Sequence, residues 1–581
     1  MGLWPGPAGS FATCSSRGAA RLYIVMRIAP RPWPEPILPL TTTIQPDDSS
    51  RRTIAPGHRR VAAIDIGSNS IRQIVADVSS DGAIQVVDEM KAAPRLAAGL
   101  HASGALADTS VRAAVEAIDR MATLARQLGS QRIDAVATSA VRDASNAAEF
   151  LAAIAKASGL KVRVLDGEEE ARLSFRSAIA HFDMGTGRTV VIDIGGGSLE
   201  LALSAEGVIE HLVSLPYGAI RLTEDFLADG ASPGRVRRLR RAVREGLRQQ
   251  ISRRDWRGSQ LIGSGGTFTN LAGMHLARQN LLTARSVHGA RIPRSDLEHI
   301  LDMLAGMSAE ERREVPGLNP ERADIILAGI AVAAEVLRRI KGRDVVVSRY
   351  GIREGLLLEA ARVVPTIADP GDARARSVAD FAQHCHAEQP HSVHVQKLAL
   401  VLFDAIGSKL GLTTEDRHAL ADAALVHDCG YHISFDRHHK HSYHLVLHAD
   451  LLGLSPSEQV VIANVARYHR GSPPRKKHRN FGMLDKPLRR RIRRLSAILR
   501  VADGFDRGHV SAVSDLKVRW MRRALRITPV PASARTPIQL EMWGASRKSE
   551  LLARVIGVPV EIVAPDGRVL SSEYVDREVG E

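Results

Sequence analysis

Ala62-Ala63-Ile64-Asp65-Ile66-Gly67-Ser68-Asn69-Ser70-Ile71 and Val190-Val191-Ile192-Asp193-Ile194-Gly195-Gly196-Gly197-Ser198-Leu199 say nearly the same thing twice in one chain. In each copy an apolar run long enough for a buried strand carries an aspartate near its end and then breaks into a turn of small residues. Glycine and serine leave the N–H groups of such a turn uncovered, so it can form a nest for phosphate oxygens, and the aspartate can hold the magnesium that neutralises them. One such turn alone is weak evidence. Two, each followed by further apolar alternation in Gln73-Ile74-Val75-Ala76 and Leu201-Ala202-Leu203, point to a repeat whose anion-gripping turns face one another.

Outward from the first copy, residues 59–185 form one unit, with strands expected over 61–65, 73–78, 83–89, 135–138 and 162–165 and amphipathic helices over 108–128, 145–158 and 168–182. Residues 186–365 repeat the order, with strands over 189–194, 200–204, 208–214, 260–263 and 344–348. Three strands and then alternating helix and strand, twice over, is an α/β duplication with a cleft between its halves. Asp369-Pro370-Gly371-Asp372 reads as a linker. Residues 366–512 are helical in periodicity and crowded with histidine, and 513–581 return to strand alternation as a small α+β module. The first 58 residues, rich in Pro, Arg, Ser and Thr without periodicity, read as a disordered extension.

At 581 residues the chain needs several cores, and 44% hydrophobic with 25% charged residues is a globular composition. No run approaches the roughly 18 uninterrupted apolar residues of a spanning helix, which argues against a membrane protein. Trp4, Pro5, Pro7 and Gly9 interrupt any signal-peptide core, and Cys14, Cys385 and Cys429 are too few and scattered for a disulfide framework. Both point to the cytoplasm. The net charge of +15 fits a polyanionic partner or merely a basic proteome. Its clusters are Arg235-Val236-Arg237-Arg238-Leu239-Arg240-Arg241, Arg475-Lys476-Lys477-His478-Arg479 and Arg489-Arg490-Arg491-Ile492-Arg493-Arg494. The first and third carry Leu or Ile at helical intervals, so a solvated basic helix face competes with a cationic track for a long anion. With 4% aromatic residues and no base-stacking platform, nucleic acid is disfavoured.

Five ordered motifs resemble the exopolyphosphatase/guanosine pentaphosphate phosphohydrolase (Ppx/GppA) family, in its long form with a carboxy-terminal HD-like helical domain. They are Ile64-Asp65-Ile66-Gly67-Ser68-Asn69-Ser70, Thr138-Ser139-Ala140-Val141-Arg142, Gly167-Glu168-Glu169-Glu170-Ala171-Arg172, Asp193 to Glu200, and Gly263-Ser264-Gly265-Gly266-Thr267. The resemblance implies duplicated RNase H-like domains of the actin/Hsp70/sugar kinase superfamily and a homodimer. It implies processive release of orthophosphate from inorganic polyphosphate, or removal of the γ-phosphate of guanosine pentaphosphate (pppGpp), with Mg2+ or Mn2+. Backbone around Ser68, Asn69 and Ser70 and around Gly195, Gly196, Gly197 and Ser198 would cradle phosphates, with Gly265 and Thr267 meeting the nucleotide or the outer phosphates. Asp193 and Glu200, with Asp65, would position the metal. Arg142, after a strand and a Thr-Ser turn, would grip phosphate oxygens, and Glu170 matches the family's general base. Acidic residues also suit the start of a helix, so a structural role competes for each of Glu168, Glu169 and Glu170.

The histidine-rich region has the order His394, His427-Asp428, Asp503, with His444 and His469 between. This resembles the HD metal-dependent phosphohydrolase superfamily, which implies one or two divalent metals activating water. Leu425-Val426-His427-Asp428 and Ile498 to Asp503 are apolar helical contexts in which an ionisable residue needs a partner. A relic fold with hydrogen-bonded histidines is the competing reading. His438-His439-Lys440-His441 reads as a solvated turn or a substrate-facing basic loop.

Overall fold

The computed structural model describes residues 58–571 apart from 81, 183, 185, 186, 282–285, 364–369, 450, 452 and 566. The expected amino-terminal extension, save His58, and Cys14 lie outside the described residues. The first sheet contains β1 (His58–Ile66), β2 (Ile71–Ser79), β3 (Ile84–Ala92), β4 (Arg132–Ala137) and β5 (Val162–Val164) in the order β3-β2-β1-β4-β5. The second contains β6 (Arg188–Ile194), β7 (Leu199–Ala205), β8 (Val208–Leu215), β9 (Gln260–Ser264), β10 (Arg291–Pro293) and β11 (Asp344–Val347) in the order β8-β7-β6-β9-β11-β10.

The two orders are the same plan. Each half is an antiparallel three-strand meander whose first strand also pairs in parallel with the fourth, and the fourth with the next. The second half adds only the short edge strand β10, antiparallel to β11, which periodicity does not reveal in three residues. The central strands β1 and β6 are covered on both faces and accordingly read as continuous apolar runs, whereas the edge strand β3 is largely solvent-facing and mixed. The expected helices appear as Asp108–Gln127, Ala147–Ser158 and Gly167–His181.

The halves are interlocked. The helix Ile352–Ala360 follows the second sheet in sequence, yet its Leu356, Leu357 and Leu358 share a core with Val61, Ile74 and Val136 of the first sheet and with Leu173. Ion pairs Arg221–Asp143 and Lys91–Glu321 cross the same divide.

Pro370, Gly371 and Asp372, expected as linker, open the helix Pro370–His384, where a proline in the first turn loses no hydrogen bond. Residue 369 lies outside the described residues. Helices then run to Lys486–Gly504, followed by a sheet in the order β12 (Val513–Trp520), β13 (Leu525–Pro531), β14 (Val560–Val563), β15 (Val569–Ser571). Residue 513 is not a break in packing, because Val513, Ile527 and Leu552 share one core with Val395, Leu420 and Ile498. Two basic clusters fall on amphipathic helices: Val236, Leu239, Val243 and Leu247 are buried on Pro233–Gln250 while Arg240 and Arg244 bind the buried Glu335, and Arg491 of Lys486–Gly504 binds Asp416. Among the described residues no helix is long and apolar enough to cross a membrane.

Candidate active site

The two quoted turns have one geometry. Gly67 N–H donates to the Ser70 carbonyl at 3.2 Å, and Gly195 N–H to the Ser198 carbonyl at 3.0 Å. They meet across the cleft: a Cβ on Gly196 would stand 2.7 Å from Ser68 Cβ, and one on Gly197 would stand 2.6 Å from Ser139 Oγ, which itself lies 3.0 Å from Ser68 Oγ. Backbone can approach this closely only because those side chains are missing. A cleft of about 820 Å3 opens beside them, lined by Ser68, Asn69, Ser70, Gly195, Gly196, Ser198 and Gly265. Gly197 turns toward the adjoining hollow around Ala97 and Ile220. Thr267 does not bring its side chain to the cleft, since its hydroxyl is buried against Gly329 of the helix Ile326–Arg339.

The strands deliver the acids. Asp65 and Asp193 sit one residue before the ends of β1 and β6, and Glu200 stands opposite Asp193 on β7. Ser174 and Ser264 donate to Asp193 at 3.0 and 3.5 Å, and Ser214 donates to Glu200 at 3.3 Å. The helix Gly167–His181 sorts the three consecutive glutamates. Asp166 caps it in a reciprocal box with Glu169, Glu168 faces solvent, and Glu170 is turned inward, 3% exposed, onto the cleft. Arg142 Nη1 donates both to Glu170 Oε1 and to the Leu165 carbonyl, each at 2.6 Å. Arg142 is therefore the holder of Glu170, and it does not line the cleft itself.

Beside the acids lie arginines that the motifs do not reveal. Arg72 of β2, Arg322, Arg349 and Arg353 line the same cleft. A Cβ on Gly266 would stand 2.1 Å from Arg322 Cζ, so that guanidinium lies flat on the glycine turn. Burial lowers Arg322 to about 10, helped by repulsion from Arg72, and burial also lowers Arg72. The acids are displaced the other way. Burial raises Asp65 to about 6 and Glu170 to about 7, the latter against the pull of Arg142, and raises Asp193 and, more strongly, Glu200, which also feels Glu170. These carboxylates crowd around an Asp65 Oδ1 that is buried without a hydrogen-bond partner, and Arg72 stands close enough to Arg322 to lower it. A hard divalent cation would partner the acids, and their all-oxygen donor set fits Mg2+ or Mn2+.

This sets a pH dependence. With native values above the unfolded ones near 3.8 and 4.5, the native protein without cation binds extra protons, and stability is lost as pH rises through about 6 to 7. A divalent cation held by these acids would reverse that loss only where they are ionised. Melting curves are expected to show a larger Mg2+-induced rise in Tm at about pH 8 than at about pH 5. An equal rise at both would remove these acids as the cation site.

In the helical region the structure redraws the expected histidine set. His427, Asp428, His469 and Asp503 come together, but His394 and His444 do not join them. Their places are taken by His391 and His438. His438 is thus neither a solvated turn nor a surface loop; it is 1% exposed.

A model of the Ppx/GppA phosphatase family matches residues 74–363, and a model of Ppx/GppA phosphatase domain III matches residues 373–528. Among solved structures, the Ppx/GppA family member of Aquifex aeolicus is 28% identical over 52% of this chain and 98% of its own, with a TM-score of 0.47. An exopolyphosphatase from Cytophaga hutchinsonii is 24% identical over 54% of this chain and 100% of its own, with a TM-score of 0.49.

Proposed function

The chain belongs to the Ppx/GppA phosphatase family, and from that premise we propose that its substrate is inorganic polyphosphate, from which it releases terminal orthophosphate. The observation that carries this reading is the gathering of Asp65, Glu170, Asp193 and Glu200 with Arg72, Arg322, Arg349 and Arg353 in one cleft, between two facing glycine and serine turns. A chain of phosphates presents charge along its whole length, and the wall of Arg72, Arg322, Arg349 and Arg353 can follow it beyond the first phosphate.

The proposed step is an in-line displacement. A water oxygen bonds to the terminal phosphorus as the bond to the bridging oxygen breaks, Glu170 takes the water's proton, and the shortened chain departs as an anion beside the arginines. Asp65, Asp193 and Glu200 would hold magnesium, which when bound would supply charge neutralisation on the phosphate being transferred. Backbone N–H groups of the two turns hold its peripheral oxygens where charge is redistributed in the transition state. Arg142 positions the base: its hydrogen bond keeps Glu170 aimed into the cleft and offsets part of the burial that would otherwise protonate it. In a homodimer, the exposed Arg237, Arg238 and Arg241 would add a surface that guides a long anion.

Guanosine pentaphosphate would use the same machinery. Against it stands the lining of the cleft, which contains no aromatic side chain to stack a guanine. We expect kcat/KM for orthophosphate release from long-chain polyphosphate to exceed that for pppGpp by at least about 10-fold, roughly the loss of one base-stacking contact. Initial rates on both substrates, measured side by side, decide it; a preference for pppGpp would overturn the assignment.

A further inference from the structure

At the carboxy-terminal ends of the packed helices Pro233–Gln250 and Ile326–Arg339 lies a hollow of about 640 Å3, lined by Arg244, Arg248, Arg253, Arg338 and Arg339 and by one acid, Glu335. None of these residues lines the catalytic cleft. The charges do not balance. The Glu335 side chain is fully buried, and each of its oxygens already accepts twice: Oε1 from Arg240 Nε at 2.7 Å and Arg244 Nη2 at 3.2 Å, Oε2 from Arg244 Nε at 3.1 Å and Arg338 Nη2 at 2.5 Å. A carboxylate has about four lone-pair sites, so Glu335 is saturated. Arg338 Nε is left buried with no hydrogen-bond partner. Arg339 gives Nε and Nη2 to the Ile251 carbonyl that closes Pro233–Gln250, so it caps a helix end. Arg248 and Arg253 are exposed at the mouth and form no ion pair among the described residues. Burial lowers Arg339, and repulsion from Arg253 and Arg248 lowers it further. Countering two helix dipoles accounts for arginines at these ends, but not for a guanidinium N–H buried without an acceptor.

We propose that this hollow is a separate, non-catalytic anion site that binds two linked phosphates, an anion of the pyrophosphate class. Such an anion gives Arg338 Nε an acceptor and stands between guanidinium groups that otherwise repel one another. The unmet donors lie on three segments: Arg248 on one helix, Arg253 in the turn that follows it, and Arg338 on the other helix. Two bidentate forks already use all the oxygens of an orthophosphate, so a third donor calls for a second phosphate. The site is remote from the chemistry, because the whole of Ile326–Arg339, about 20 Å of helix, separates Arg339 from the segment that carries Arg322 into the cleft. Nothing in this depends on polyphosphate being the substrate of that cleft.

The test titrates the full chain with methylenediphosphonate, whose P–C–P link resists hydrolysis, in metal-free buffer, and follows binding by calorimetry. Arg248→Gln/Arg253→Gln is expected to weaken one site of the wild-type protein by at least about 10-fold, through loss of two charge-assisted donors. Both side chains are exposed and repel Arg339, so Tm should be held or raised and phosphate release by the cleft unchanged, which shows that the variant is folded. Arg254→Gln/Arg257→Gln removes the same charge from exposed positions outside the hollow and is expected to leave that site within about 3-fold of wild type. Equal weakening in the two double variants would mean a diffuse positive surface and overturns the proposal. So does binding that Arg248→Gln/Arg253→Gln leaves intact, a wild-type protein that binds no methylenediphosphonate, or orthophosphate held there as tightly as the diphosphonate.

Discussion

Glu170→Gln lowers the rate of orthophosphate release from polyphosphate by about 10²- to 10⁴-fold, the usual contribution of a positioned general base. The substitution is nearly isosteric. The carbonyl oxygen of the introduced amide would still accept from Arg142, so the helix start and its capping box, which belongs to Asp166 and Glu169, stay as they are. What is lost is only the capacity to take a proton from water. Because Glu170 is 3% exposed and its charge is disfavoured by burial, removing that charge costs no folding stability, and Tm should be held or raised. Polyphosphate binding, which the proposed function assigns to the turns and the arginines, should be retained. A purely structural glutamate would show the opposite pattern, with a lowered Tm and rates within a few-fold of wild type. Malachite-green measurement of released phosphate with a parallel melting curve separates the two, and activity retained within about 10-fold would move the base to another carboxylate of the cleft.

Legibility in the sequence followed the range of the interaction. The two aspartate-led turns could be read because strand, turn and strand are contiguous, and their repetition forced a duplicated plan that the two sheet orders display. The Glu168-Glu169-Glu170 run was half legible. That it opened a helix could be read, but its division into one solvent-facing residue, one cap and one cleft residue depends on the roughly 100° step of the helix and on where Asp166 fixes its start. Arg72, Arg322, Arg349 and Arg353 were hidden among 79 lysines and arginines, because they come from three separate segments and nothing local distinguishes them from surface arginines. The crossing of Ile352–Ala360 onto the first sheet was hidden for the same reason. In the helical region His391 and His394 lie one turn apart on Gln389–Ile406, so periodicity cannot choose between them; the carboxylate of Asp506, distant in sequence, makes the choice.

Gly218→Ala should damage catalysis and stability together, through sterics alone. Gly218 has ordinary extended angles, φ −71° and ψ 156°, which alanine adopts without strain. Its Cβ, however, would stand 2.3 Å from the Gly196 carbonyl oxygen and 2.3 Å from the Gly197 carbonyl carbon, and backbone cannot rotate aside as a side chain can. The phosphate turn hangs on this point, since Ala219 and Ile220 at the start of the next helix donate to the Gly195 and Gly196 carbonyls at 2.9 Å each. Relief requires the turn to move by about an ångström, away from Ser68 or into the cleft. Displacements of that size cost on the order of 100-fold in rate, and overpacking costs about 1–3 kcal/mol of stability. Both should appear together: kcat down about 100-fold and a lowered Tm. Gly187→Ala, where a Cβ meets open space, should change neither. If Gly218→Ala instead turned over polyphosphate at the wild-type rate, the fixed opposition of the two turns would not be what positions the reacting phosphate, and the catalytic role given to that geometry would fall with it.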